Sequence, residues 1–142
     1  MLLALALSAS SAALAGDSVH QQSWWTPSPP EITVCELAQL MKTQGAAVPV
    51  DASPDKTRKA EGVIPGAVLL SSSSQFALSE LPPCTSSPLI FYCASDRCGA
   101  SHAAALRAMG AGYTNVAVLS AGIKGWKAAG NPVSRWAIVS SR

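Results

Sequence analysis

The residues best placed to do chemistry cluster around Cys93. The run Pro88-Leu89-Ile90-Phe91-Tyr92-Cys93 is continuously apolar and ends on a thiol. A polar, glycine-bearing stretch follows, Ala94, Ser95, Asp96, Arg97, Cys98 and Gly99, before an alanine-rich segment opens at Ala100. A cysteine between a strand and a helix N-terminus faces the partial positive charge of unpaired N–H groups. That charge favours the thiolate, which is the nucleophilic form. Arg97 adds a full positive charge close in sequence. The alternative is a buried structural thiol, which the position at a strand–loop–helix junction argues against.

Cys98 follows Cys93 by five residues, so the two sulfurs meet if the loop curls back. Such a pair can cycle between dithiol and disulfide, with Cys98 as a resolving thiol. If Cys98 points into the helix packing instead, it is inert, and spacing alone leaves both readings open. His102 lies four residues beyond Cys98, on the same helix face. Cys93, Cys98 and His102 are thus three candidate ligands for a soft metal. No fourth ligand stands at a diagnostic spacing, so no metal and no cofactor is assigned, and His102 reads better as a surface or supporting residue. Cys35, Cys84 and His20 fall in no motif.

These residues need elements to position them. Thr33-Val34-Cys35-Glu36 fits a capping box, followed by Leu37, Leu40 and Met41 at helical spacing and a stop at Gly45. Ala46 to Val50 reads as a buried strand, with Pro49 awkward inside it because proline cannot donate to a ladder. Ser53-Pro54-Asp55 looks like an N-cap, a first-turn proline and a first-turn acid, opening a polar helix to Glu61 that stops at Gly62. Pro65-Gly66 is a turn, Ala67 to Leu70 a strand, and Gln75 to Leu81 a turn of helix ended by Pro82-Pro83. Pro88 to Cys93 is the strongest strand, apolar throughout, as a parallel strand covered on both faces should be. A helix from Ala100 to Met109, a strand from Asn115 to Leu119 and a helix from Gly122 to Ala129 complete the series. Alternating strands and helices predict an α/β domain, with a mainly parallel sheet of about five strands and helices on both faces.

Composition agrees with one such domain. The chain has 142 residues, 49% hydrophobic and 13% charged, enough apolar content for a core. Ten Lys and Arg against eight Asp and Glu leave a net charge of +2, too small to suggest nucleic acid as a partner. No apolar run reaches the roughly 18 residues of a membrane span. Met1 to Ala15 is apolar and small, and Ala13-Leu14-Ala15 has the A-x-A form of a signal peptidase site. Residues 1–15 are therefore expected to be an export signal, 16–30 a linker carrying Trp24-Trp25, 31–133 the folded domain and 134–142 a tail. Export puts the protein in the periplasm or outside the cell, where cysteines meet an oxidising environment.

Four segments, in order and spacing, resemble a rhodanese domain: Gly62-Val63-Ile64-Pro65-Gly66-Ala67, Tyr92-Cys93-Ala94-Ser95, Gly112-Tyr113-Thr114-Asn115-Val116 and Gly122-Ile123-Lys124-Gly125-Trp126. The resemblance spans roughly Thr33 to Pro132. It implies a rhodanese-like three-layer domain acting as a sulfurtransferase. Cys93 would accept a sulfane sulfur as a persulfide, cradled by the loop Ala94, Ser95, Asp96, Arg97, Cys98 and Gly99. Partners would be small-molecule or protein persulfides and thiols, as donors and acceptors.

The departures from that pattern carry information. Many rhodaneses have a Cys-x-x-Gly-x-Arg loop. Here Asp96 stands where the glycine is common and Cys98 where the arginine is common, with Arg97 one place earlier. Asp51-Ala52-Ser53 lacks the arginine of the family's frequent Asp-x-Arg, and Val63 replaces a frequent histidine. An acid beside the site opposes a dianionic donor, so weak thiosulfate:cyanide activity is expected. Related phosphatases need Cys-(x)5-Arg, and the sixth residue after Cys93 is Gly99, which argues against phosphatase chemistry. A different class of function stays open: a thiol redox or non-catalytic binding module that uses Cys93 and Cys98 on the same fold.

Overall fold

A computed structural model describes residues 27–136. The expected export signal, His20 and Trp24-Trp25 lie outside the described residues. Among the described residues the sheet has four parallel strands: β1 (Val48–Asp51), β2 (Val68–Leu69), β3 (Leu89–Tyr92) and β4 (Val116–Leu119), in the order β2-β1-β3-β4. The sheet thus has one strand fewer than expected. Outside β4, Val118 bonds only Pro30 and Ile32 (both 2.8 Å), so a single-residue bridge at Glu31 covers that edge in place of a fifth strand.

Pro49 is tolerated in β1 for a simple reason. Val48 and Ala52 donate toward β3, which turns Pro49's nitrogen to the other side, and β2 begins only opposite Val50. No ladder bond is lost there.

Among the described residues four helices cover the sheet: α1 (Val34–Leu40), α2 (Asp55–Glu61), α3 (Ala100–Gly110) and α4 (Gly122–Ala128), with a 3-10 turn at Leu78–Glu80. Strand alternation sorts the core into two layers. Leu89 and Phe91 face one way, into a cluster with Ala104, Ala105 and Ala108 of α3. Ile90 and Tyr92 face the other, against Leu37 of α1 and Ile123 and Trp126 of α4. The small alanines let α3 lie close on the sheet while favouring the helix themselves.

The local caps differ in how well they match expectation. The capping box at Thr33 and Glu36 forms as expected, with Glu36 Oε2 accepting from the Thr33 N–H at 2.8 Å. Ser53, by contrast, does not cap α2. Pro54 is the N-cap, and the Ser53 hydroxyl is buried without a partner. Ser53's own N–H is taken up by Asp51 Oδ1 at 2.7 Å, which turns the residue inward. Past the last helix, Trp126 Nε1 donates to Pro132 O (2.7 Å), and Ser134 pairs antiparallel with Val63. No helix among the described residues is long and apolar enough to cross a membrane.

Candidate active site

Sheet order places the site. The chain moves from β1 outward to β2 in one direction and from β3 outward to β4 in the other, so the order reverses between β1 and β3. In an open parallel sheet the crevice outside the carboxyl ends of such neighbouring strands is where ligands bind. Cys93 follows β3 there, and Ala52, just past β1, donates to Tyr92 O at 2.9 Å.

The loop from Ala94 to Gly99 leaves Cys93 and curls back over it. Cys98's N–H donates to Ser95 O at 3.0 Å. The Cys93 thiol reaches Cys98 O at 3.1 Å and, more weakly, Ser95 O at 3.8 Å. On its inner side the Cys93 sulfur meets the Ser101 hydroxyl at 3.5 Å. The base of the loop is held by α4, whose Ile123 and Lys124 N–H groups donate to Cys93 O (2.8 Å) and Ala94 O (3.1 Å). The approach requires a glycine at 122. Its φ is +60°, and a Cβ there would lie 2.5 Å from Cys93 O.

The two thiols sit in different environments. Cys93 is buried, with 1% of its surface exposed, and Cys98 is half-buried. Burial pushes the Cys93 thiol above its ordinary range, and the neighbouring Cys98 sulfur adds to this against the opposing pull of Ser101. Burial also acts upward on Cys98, but the Cys93 thiol and the N–H groups of Ala100 and Ala94 outweigh it and hold Cys98 below its ordinary range. The expected thiolate stabilisation by loop and helix amides is therefore greater at Cys98, which meets Ala94 and Ala100, than at Cys93, where the Ser101 amide is outweighed by burial and Cys98. The cause is the burial of Cys93 beneath the curled loop, together with the Cys98 sulfur beside it.

The remaining expected residues spread outward. Asp96, Arg97 and Gly99 are exposed, and Ala94 and Ser95 are partly covered. His102 Nε2 lies 3.5 Å from Glu31 Oε1, turned to the β4 edge. No group of three or more metal-binding side chains occurs among the described residues. Cys35 and Cys84 are exposed and free.

Two residues beside the site were not singled out from the sequence. Ser101, 2% exposed, is the first. Its signal is a hydroxyl in the first turn of an alanine-rich helix that follows a cysteine loop. Arg58 is the second. It is buried in α2, with Nε 3.4 Å from Asp51 Oδ2 and Nη2 donating to Asp51 O (3.0 Å) and Leu70 O (2.8 Å). It ties the ends of β1 and β2 together where the family's Asp-x-Arg arginine is missing. On the far side of β1, the Tyr92 hydroxyl accepts from the Ile64 N–H at 3.0 Å; burial pushes this phenol far above its ordinary range, with the charge of Asp51 adding to it.

The model of the rhodanese-like domain family matches residues 33–129. No curated protein matches the chain. Among solved structures, the chain is similar to a protein of unknown function from Rhodopseudomonas palustris, considered a possible tyrosine phosphatase. The two share 25% identity over 75% of this chain and 85% of that one, with a TM-score of 0.60. It is also similar to the rhodanese-like domain of an Anabaena protein, at 21% identity over 79% and 83% of the two chains and a TM-score of 0.55. A thiosulfate sulfurtransferase from Pseudomonas aeruginosa matches at 22% identity and a TM-score of 0.57; the match takes in 75% of this chain and 20% of that one.

Proposed function

The chain belongs to the rhodanese-like domain family, and on that premise we propose that it is an exported sulfurtransferase or sulfane-sulfur carrier that holds sulfur as a persulfide on Cys93. The observation that carries this reading is the place of Cys93. It stands at the carboxyl end of β3, at the reversal of strand order, with a loop curled over its sulfur. The Cys93 sulfur, once deprotonated, attacks the terminal sulfur of a donor RS–SH. The donor's S–S bond breaks, RS⁻ leaves, and Cys93 carries the added sulfur. An acceptor thiol then takes that terminal sulfur and frees Cys93. Donor and acceptor are small-molecule or protein persulfides and thiols.

Thiosulfate fits this site poorly. Ser53 stands where an arginine would bind the dianion, Arg58 is already engaged by Asp51 and Leu70, and Asp96 adds a negative charge to the loop. Export rests on Met1 to Ala15 and its Ala13-Leu14-Ala15 site, and places the protein in the periplasm or outside the cell.

One observation favours the second reading, a thiol redox or non-catalytic binding module. Cys93 is buried against loop carbonyls and its thiol is raised, while its neighbour Cys98 is held below its ordinary range and is the more acidic thiol. Incubation with an alkyl persulfide followed by intact-mass measurement separates the two readings. A carrier gains one sulfur atom that maps to Cys93 and is absent in Cys93→Ser. A protein that never gains it is not a carrier.

A further inference from the structure

The loop that covers Cys93 brings a second sulfur to it. Cys98 O lies 3.1 Å from Cys93 Sγ. Since the carbonyl oxygen and Cα of one residue are about 2.4 Å apart, the Cys98 Cα is within about 5.5 Å of that sulfur. The Cys93 sulfur is about 2.8 Å from its own Cα, so the two Cα atoms are at most about 8 Å apart, a range that includes the roughly 4.4–6.8 Å of a disulfide. The Cys98 sulfur is itself near enough to Cys93 for each to affect the other's titration. Cys98 is half-buried and so the more accessible of the two sulfurs to an outside thiol, while Cys93 lies buried beneath the loop.

We propose that Cys98 resolves a persulfide on Cys93, so that the protein releases sulfane sulfur as hydrogen sulfide without handing it to an acceptor. The inference rests on the carrier reading above. The Cys98 thiolate attacks Sγ of Cys93. The bond between that sulfur and the added one breaks, and its electron pair leaves with the terminal sulfur as HS⁻. A Cys93–Cys98 disulfide closes. The added sulfur is reduced, and the two cysteines are oxidised by the same two electrons. An external thiol then attacks the half-buried Cys98 side of the disulfide, and a second thiol completes the reduction. Over one turn, a persulfide RSSH and two thiols R′SH become RSH, hydrogen sulfide and R′SSR′.

The acidity of Cys98 supports its role as the attacking group, because thiol–disulfide exchange proceeds through the thiolate. A soft metal would need ligands beyond these two sulfurs, whereas the resolving step needs only the pair.

The test loads the full chain, its Cys98→Ala and Cys98→Ser variants and Cys93→Ser with an alkyl persulfide. Excess donor is removed, and sulfide release, intact mass and disulfide maps are followed. The parent should release one sulfide per chain and become two hydrogens lighter, with Cys93 joined to Cys98. Both Cys98 variants should keep the added sulfur on Cys93 and lose sulfide release. Equal release by parent and variants, a parent in which Cys98 stays open to alkylation after release, or added sulfur found on Cys98 overturns the resolving role and leaves the carrier intact. If neither the Cys98 variants nor the parent shows added sulfur or a new disulfide, the carrier reading fails and takes this one with it.

Discussion

Gly122 abuts Cys93 backbone to backbone, with no room for a side chain between them. Its φ is +60°, and an added Cβ would stand 2.5 Å from Cys93 O and 2.6 Å from the Ala94 carbonyl carbon. The neighbours are main chain, so nothing can swing aside. Gly122→Ala should cost about 1–3 kcal/mol of stability from the left-handed backbone and the clash together. It should also displace the loop over Cys93. Gly99→Ala is the contrast, since its Cβ meets nothing within 4 Å. Urea unfolding of both variants checks this; equal midpoints would show that the α4 contact does not constrain the loop.

Arg58 and Asp51 form a buried pair, with side chains 6% and 1% exposed. Removing the arginine leaves a buried carboxylate and two carbonyls, Asp51 O and Leu70 O, short of a donor. Arg58→Leu should lower stability by about 3–5 kcal/mol. Arg58→Lys should recover only part, because a lysine cannot reproduce the planar fork that serves these three buried acceptors and Asp55 Oδ1. A loss below about 1 kcal/mol for Arg58→Leu would mean the pair is dispensable.

Much of this was legible in the residues, for identifiable reasons. The run from Pro88 to Cys93 is apolar at every position because β3 is covered on both faces, so neither the strand nor the thiol at its end could be missed. The capping box at Thr33 is a local device, written in four consecutive residues. Arg58 was hidden because α2 is polar along its length and burial of its one inward residue depends on Asp51 and Leu70, seven and twelve positions away. Ser101 was hidden for a similar reason: only the curl of the loop brings its hydroxyl to Cys93. The same curl reversed the expected acidity of the two thiols. Spacing shows that an amide-rich helix start follows Cys93, but not which sulfur the amides meet.

That reversal has a consequence in pH. The Cys98 thiol is held below its ordinary range and Cys93 is raised above it. As pH rises, Cys98 therefore loses its proton first, and it is also the more exposed of the two. Iodoacetamide should modify Cys98 at a lower pH than Cys93, with the order read by peptide mass across a pH series. In Cys98→Ala, Cys93 loses a neighbour that raises it, so its labelling should move to lower pH. Labelling of Cys93 ahead of Cys98 in the parent would contradict the arrangement.

Donor choice follows from charge. Thiosulfate is a dianion, and productive binding needs cations or N–H groups aimed at it. At this site Ser53 stands in the arginine position, and Arg58 is buried with its Nε and Nη2 already given to Asp51 and Leu70 and its Nη1 to Asp55. One missing charge-assisted hydrogen bond is worth about 1.5–3 kcal/mol, or roughly a tenfold to hundredfold loss. Asp96 adds repulsion, but it is exposed, so solvent and salt screen much of its effect. Asp96→Gly should therefore raise thiosulfate:cyanide turnover modestly, by up to about tenfold at low ionic strength and less at high salt. It should affect transfer from an alkyl persulfide, which carries at most one negative charge, less than transfer from the thiosulfate dianion. Assays of both donors at two salt concentrations check this. Robust thiosulfate turnover by the parent, or an Asp96→Gly gain equal for both donors and indifferent to salt, would show that charge at the loop does not select the donor.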